Sequence, residues 1–183
     1  ITMYADCKNY TKHERWEQIS SQRIFSVSGL VHYKNGFLIV HDNKKDNQPR
    51  ISFFKNNKIS PLIWPDSSLP YDLEAISIIP SFKNQYILME STGKCYKIKI
   101  EQRNNQITLM NIFQLETNED MNLEGCIIVK GNFGYKIMYG DRGSDLRKST
   151  LFVGDFNPIN NNITNLVKHL SLIHISEPTR RKH

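Results

Sequence analysis

An all-β fold built on a repeated four-stranded unit is what this 183-residue sequence encodes, and three observations carry that expectation. Asp72-Leu73-Glu74-Ala75-Ile76 recurs as Asn122-Leu123-Glu124-Gly125-Cys126, fifty residues further on. Short runs rich in Ile, Tyr, Phe and Val alternate with Asn- and Gly-containing turns, the composition of strands joined by hairpins. No apolar period of 3.6 residues is sustained anywhere in the first 169 residues. A period of forty-odd to fifty residues on such a background marks a β-propeller, in which each repeat is one four-stranded antiparallel blade.

Three blades can be laid over one another, spanning about residues 26–70, 71–120 and 121–169. The first starts at Ser28-Gly29-Leu30-Val31-His32-Tyr33, turns at Lys34-Asn35-Gly36 and returns along Phe37 to Asp42. Asn-Gly between two apolar runs is the strongest short hairpin signal. A polar loop from Asn43 to Pro49 leads to Arg50–Phe54, and a turn at Lys55-Asn56-Asn57 leads to Ile59–Trp64. The second blade runs Leu73–Ile79, Gln85–Glu90, Lys94–Ile100 and Gln106–Leu115. The third runs Leu123–Val129, Tyr135–Asp141 and Ser149–Phe156, with a fourth strand near Ile163–Val167 that the tail is expected to cut short. The offset from Ser28 to Glu74 is 46 residues and from Glu74 to Glu124 is 50, both within the range of propeller blades. Three blades do not close a ring, so the chain is expected to be part of a larger propeller.

The two ends read differently from the middle. Residues 1–25 are either the outer strand of a preceding blade, over Arg15–Ile24, or a helix over residues 8–23 with Trp16 and Ile19 on one face. A start on Ile1 suggests a partial or processed chain, and no basic-then-apolar leader pattern opens it. Leu170-Ser171-Leu172-Ile173-His174-Ile175-Ser176-Glu177-Pro178-Thr179-Arg180 resembles the in-frame translation of a transposase-type sequencing adapter, so residues 170–183 are set apart from the fold; a genuine basic or amphipathic tail is the alternative. That tail supplies +2 of the formal net charge of +6. The remainder is mildly basic with no clustered patch, which argues against nucleic acid as a partner. No apolar run reaches the roughly 18 residues of a membrane span. Cys7, Cys95 and Cys126 have neither metal spacing nor a disulfide framework, and Cys95 and Cys126 sit in apolar strand patterns as small core residues.

Topology narrows the search for a site. In a four-stranded meander, the start of strand one and the loop between strands two and three share one face of the disc. Strand one starts at Ser28, Glu74 and Glu124, and strand two is expected to end at Asp42, Glu90 and Asp141. The loops that follow carry Asn43, Lys44 and Lys45 in blade one and Arg142, Gly143, Asp145, Arg147 and Lys148 in blade three. Inward carboxylates are costly unless protonated, paired or bound to a metal. Glu74, Glu124 and Asp42 are therefore candidate ligands for a hard cation, Ca²⁺ being the natural one. The alternative is structural: each Glu accepts hydrogen bonds from backbone amides of the neighbouring blade. Tyr139-Gly140-Asp141-Arg142-Gly143-Ser144 places a carboxylate and a bidentate donor on one turn. Arg142, with Lys45 and Arg147, can hold a phosphate or carboxylate; otherwise Asp141 and Arg142 are paired within the protein. His32 and His41 lack triad or cluster partners and read as core or rim residues.

The Ser28-Gly29-Leu30 start, the hairpin to Asp42, the Asp72–Ile76 segment and the Gly140-Asp141-Arg142-Gly143 loop together resemble bacterial β-propellers of the phytase-related, esterase-like family, over about residues 24–157. The resemblance implies a six-bladed, extracytoplasmic propeller, periplasmic or secreted, with phosphoesterase activity. It implies acidic strand starts at Glu74 and Glu124, a Ca²⁺-type ion, and Asp141 with Arg142 as the candidate catalytic pair. The chain departs from that pattern at Ser28, where Glu is expected, and at Glu90-Ser91, where Asp-Arg is expected. Two functions follow: a metal-assisted hydrolase of a phosphate-containing small molecule, or a non-catalytic propeller that binds a ligand or a protein partner.

Overall fold

The computed structural model describes residues 19–144 and 147–170. Within them lie three separate four-stranded antiparallel sheets, each a meander in chain order. Blade 1 holds β1 (Gly29–Tyr33), β2 (Gly36–Val40), β3 (Ile51–Lys55) and β4 (Lys58–Pro61). Blade 2 holds β5 (Leu73–Ile78), β6 (Gln85–Glu90), β7 (Lys94–Ile100) and β8 (Ile107–Gln114). Blade 3 holds β9 (Leu123–Gly131), β10 (Gly134–Asp141), β11 (Thr150–Phe156) and β12 (Ile163–Leu170). The first strand of blade 2 lies against the first strands of both neighbours, β1 and β9. First strands side by side, with sheet faces stacked behind them, are the arrangement of propeller blades.

Two cores fill the spaces between the sheets. Leu38, Val40 and Ile51 of blade 1 meet Ile76, Leu88, Tyr96 and Ile98 of blade 2. Ala75, Ile87, Met89 and Cys95 of blade 2 meet Leu123, Ile137, Tyr139 and Phe152 of blade 3. Successive residues of β5, β6 and β7 thus alternate between the two cores, as the two-residue period of a strand dictates. Gly29 is where the first junction closes: a Cβ there would meet Ile76 N at 3.0 Å and Ala75 Cα at 3.2 Å. Close strand packing, not ligand approach, is its reason.

Four details differ from the sequence expectation. The first hairpin forms, but its two-residue loop is Lys34-Asn35, with Tyr33 opposite Gly36. Lys34 takes the left-handed conformation (φ 53°), and Gly36 stands in the strand because a Cβ there would lie 2.3 Å from the Phe54 carbonyl oxygen. β4 ends at Pro61, earlier than Trp64. Trp64 leaves the strand to pack edge-on against Tyr96, with ring centroids 5.4 Å apart. β12 is not cut short: it pairs from Ile163 opposite Phe156 to Leu170 opposite Thr150, one residue into the segment set apart as tail. Near the start, a 3-10 turn at Arg23–Phe25 stands where the helix or outer strand was expected to end. Residues 1–18 with Cys7, and residues 171–183, lie outside the described residues. No helix among the described residues is long and apolar enough to cross a membrane.

Candidate functional site

The repeated Leu-Glu-Ala/Gly signature is a β-bulge. In blade 2, Leu73 pairs with Glu90 and Ala75 with Met89, so Glu74 is the extra residue. In blade 3, Leu123 pairs with Asp141 and Gly125 with Gly140, so Glu124 is the extra residue. A bulge re-aims one side chain off the regular alternation. It is why both carboxylates leave the apolar faces and come together at the strand-one ends of adjacent blades. Ser28 holds this place in blade 1, where its hydroxyl donates to the Leu73 carbonyl at 2.5 Å and ties blade 1 to blade 2.

The same registers revise the end of strand two. Gly29 pairs with Val40 as Ala75 does with Met89 and Gly125 with Gly140. The equivalents of Glu90 and Asp141 are therefore His41, not Asp42. All three are buried, and all three lock the segment that leads into strand one. His41 Nδ1 lies 2.9 Å from the Ser26 carbonyl and Nε2 2.8 Å from Ser52 Oγ. Glu90 accepts from the Tyr71 amide at 2.7 Å and the Tyr96 hydroxyl at 2.5 Å. Asp141 accepts from the Asn122 amide at 3.0 Å and from both guanidinium NH groups of Arg147. Ser52, Tyr96 and Phe152 are equivalent positions on strand three. Phe152 cannot donate, so in blade 3 the second donor comes from the loop as Arg147. Burial penalises the Asp141 carboxylate, but the Arg147 hydrogen bond and the Asn122 and Gly143 amides outweigh it and hold its pKa below the ordinary value. Burial pushes the His41 imidazole down.

Loops of this face also stitch blade to blade. The Asp72 amide donates to the Asn43 carbonyl at 3.3 Å and the Leu123 amide to the Ser91 carbonyl at 2.9 Å. Arg50, missed at the sequence level because it looks like an ordinary strand-start cation, is buried and donates to the carbonyls of Pro70, Lys45 and Gln48. It shapes the loop that carries Lys45, whose side chain is exposed. Asp72, also missed, sits in the left-handed region (φ 57°), accepts from Ser91 Oγ at 2.8 Å and pairs with Lys44 at 3.0 Å.

Four carboxylates of the face, Asp42, Asp72, Glu124 and Asp141, pair with a cation, while the buried Glu90 is held, among the described residues, by neutral donors alone. Arg23 grips both oxygens of Asp42, at 3.0 and 2.9 Å, and that hydrogen bonding lowers the Asp42 pKa. Arg142 lies 3.3 Å from Glu124, which also accepts from Asn122 Nδ2 at 2.8 Å. Arg147 holds Asp141. Asp141 and Arg142 are thus each engaged inside blade 3, with different partners. Glu74 is half-buried and receives neither a hydrogen bond nor a salt bridge among the described residues. Burial, then the charges of Glu124, Asp72 and Asp42, push its carboxyl up to about 7 against the weaker pull of Lys44. Among the described residues no three His, Cys, Asp or Glu side chains converge on one point. Asp145 lies outside the described residues. His32 is an exposed rim residue edge-on to Phe37, and Cys95 is fully buried.

Neither a protein-family model nor a curated protein matches this sequence. A solved structure with a similar fold is the Neurospora crassa Pan2 WD40 domain, at 12% identity and a TM-score of 0.49, over 77% of this chain and 35% of that one. The chain thus spans about a third of that domain's length.

Proposed function

We propose that these three blades work as part of a β-propeller binding module, with no catalytic centre of their own. The observation that carries this reading is the pairing of the face: Asp42, Asp72, Glu124 and Asp141 each have a basic partner in the fold, Arg23, Lys44, Arg142 and Arg147. Catalytic acids and bases need pKa values set for proton transfer. Here three of those four pairs join segments far apart in the chain or in different blades, which is the work of a scaffold. Ligand-binding loops carried on such a scaffold are the common use of a propeller face.

A second reading has one observation in its favour. Glu74 faces Glu124 without a cation of its own. A Ca²⁺ ion there would relieve that repulsion and make the face a phosphoesterase site, with Arg142, Lys45 and Arg147 as the phosphate-holding cations. Two carboxylates are fewer than the six to eight oxygens Ca²⁺ takes, so most of the shell would have to come from elsewhere.

The Glu74→Gln variant separates the readings. The Glu74 pKa is raised in the fold, so stability falls as pH rises from about 4.5 to about 7 and the cost is constant above that. In a binding scaffold, Glu74→Gln raises the thermal midpoint at pH 8 by the equivalent of about 1–2 kcal/mol, discounted for its partial exposure, and leaves it unchanged at pH 4. Millimolar Ca²⁺ leaves both midpoints in place. A Ca²⁺-induced rise at pH 8 that Glu74→Gln abolishes, with Ca²⁺-dependent phosphate-ester hydrolysis, would establish the second reading and sink the first.

A further inference from the structure

The opposite face of the disc carries hairpins, and its chemistry is different. Blade 1 turns there through polar pairs, Lys34-Asn35 and Asn56-Asn57. Blade 3 instead puts apolar side chains into water at both of its hairpin tips: Phe133 is fully exposed and Ile159 is 80% exposed. Phe133 sits in a two-residue turn and Ile159 in the longer loop between Phe156 and Ile163. Turns select polar residues and glycine, so nothing in turn chemistry asks for Phe or Ile there. Between these tips runs a groove of ≈ 410 Å³ lined by Phe82, Phe133, Tyr135, Phe156, Pro158 and Ile159. Phe82 and Tyr135 meet edge to face across the junction of blades 2 and 3, with centroids 6.0 Å apart. The groove is therefore built by two blades rather than by one mobile tip.

The groove is also positive. The Lys97 ammonium is buried beneath it, donates to the Pro158 carbonyl and lies 5.7 Å from the Phe82 ring centre. The Lys130 ammonium lies 5.6 Å from the Tyr135 ring centre and donates to Ser81 Oγ at 3.1 Å. Asp155 lines the groove and is neutralised by Lys136 at 2.6 Å. Three lysines thus stand against one carboxylate. Along the rest of this face Glu101 is already paired with Lys99 at 3.3 Å, while Lys34, Lys83 and Arg103 have no carboxylate partner among the described residues.

We propose that this groove is a docking site for an acidic peptide segment with one aromatic or aliphatic anchor. The anchor enters between Phe133 and Ile159 and packs on Phe82 and Tyr135. Flanking Asp or Glu side chains meet Lys130 and Lys83, and the buried Lys97 adds a positive potential that water does not screen. Apolar anchors in pockets supply most of the energy of such interfaces, and charge complementarity supplies specificity. This surface is distinct from the strand-one face and does not depend on the function proposed for it.

The test is a random-hexapeptide array probed with the full chain, followed by fluorescence anisotropy with the best peptide. Enrichment of Phe, Trp or Leu flanked by Asp or Glu is expected. Phe133→Ser combined with Ile159→Ser is expected to weaken binding about tenfold or more with the thermal midpoint unchanged, since both side chains are exposed. Lys130→Glu is expected to weaken binding about three- to tenfold and to flatten its salt dependence. No enrichment over scrambled peptides, or enrichment that lacks either the acids or the anchor, overturns the proposal. A single-stranded oligothymidylate that binds more tightly than the best peptide and ignores Phe133→Ser overturns it as well, by assigning the charge to nucleic acid.

Discussion

Blade 2 and blade 3 have nearly the same inner strands and opposite surroundings. Ala75-Ile76-Ser77-Ile78-Ile79 and Gly125-Cys126-Ile127-Ile128-Val129 are equally apolar, and both read as strands buried on two faces. In blade 2 both faces pack against a neighbour, and of that segment only Ile78, at the far end of β5, is left 47% exposed. In blade 3 only the face toward blade 2 is covered by the described residues; Ile128 is buried while Ile127 is 50% exposed. Gly29 and Gly125 show the same contrast. A Cβ on Gly29 would run into β5, whereas a Cβ on Gly125 meets nothing within 4 Å. Burial in a propeller is thus a property of the junction and not of the blade.

Paired substitutions can break or sharpen that contrast. The largest difference is expected between Leu88→Ala and Ile127→Ala. Leu88 is fully buried between blades 1 and 2, and its truncation should cost about 2–5 kcal/mol in chemical denaturation. Ile127→Ala should stay within about 0.5 kcal/mol. Equal costs would mean that the outer face of blade 3 is covered in solution.

Next comes Gly29→Val against Gly125→Val. The first forces β1 away from β5 and should cost about 1–3 kcal/mol, while the second should be neutral or slightly favourable through strand propensity. A loss at Gly125 as large as at Gly29 would place another sheet against blade 3.

The smallest difference concerns charge. Asp141→Asn breaks a buried lock and should cost about 2 kcal/mol at pH 7, whereas Arg142→Ala removes an exposed pair and should cost less than about 0.5 kcal/mol. The Asp141 pKa is lowered by folding, so its contribution is complete above the ordinary Asp pKa and is lost as pH falls through the folded value. Urea melts of Asp141→Asn and the parent should therefore converge toward pH 2. Curves that stay parallel down to that pH would remove Arg147 as its partner.

Much of the blade architecture was legible in the chain because strand and turn chemistry are local. The fifty-residue recurrence, the four-strand order and the positions of Glu74 and Glu124 at strand starts all came from residue type and spacing. Part of the site did not. The bulges at Glu74 and Glu124 shift pairing by one residue, and a one-residue shift moves a side chain to the other face. That is why Asp42 reads as the partner of Glu90 and Asp141 when His41 holds that place. Arg147 and Arg23 were visible only as cations on loops. Their partners, Asp141 and Asp42, are fixed by how the loops fold back, and no local pattern reports that.

By itself, then, the sequence determined a repeated, all-β, four-stranded unit with acidic strand starts, since hydrophobic alternation and turn residues act within a few positions. Only the tertiary structure decided which of those acids are neutralised. Salt bridges such as Lys44–Asp72 and backbone stitches such as Asn43–Asp72 join residues of different blades. Their energies depend on distance and burial, and those exist only once the sheets have stacked. The same stacking leaves Glu74 with neither a hydrogen bond nor a salt bridge among the described residues, and opens an apolar, lysine-rimmed groove on the other side of the disc.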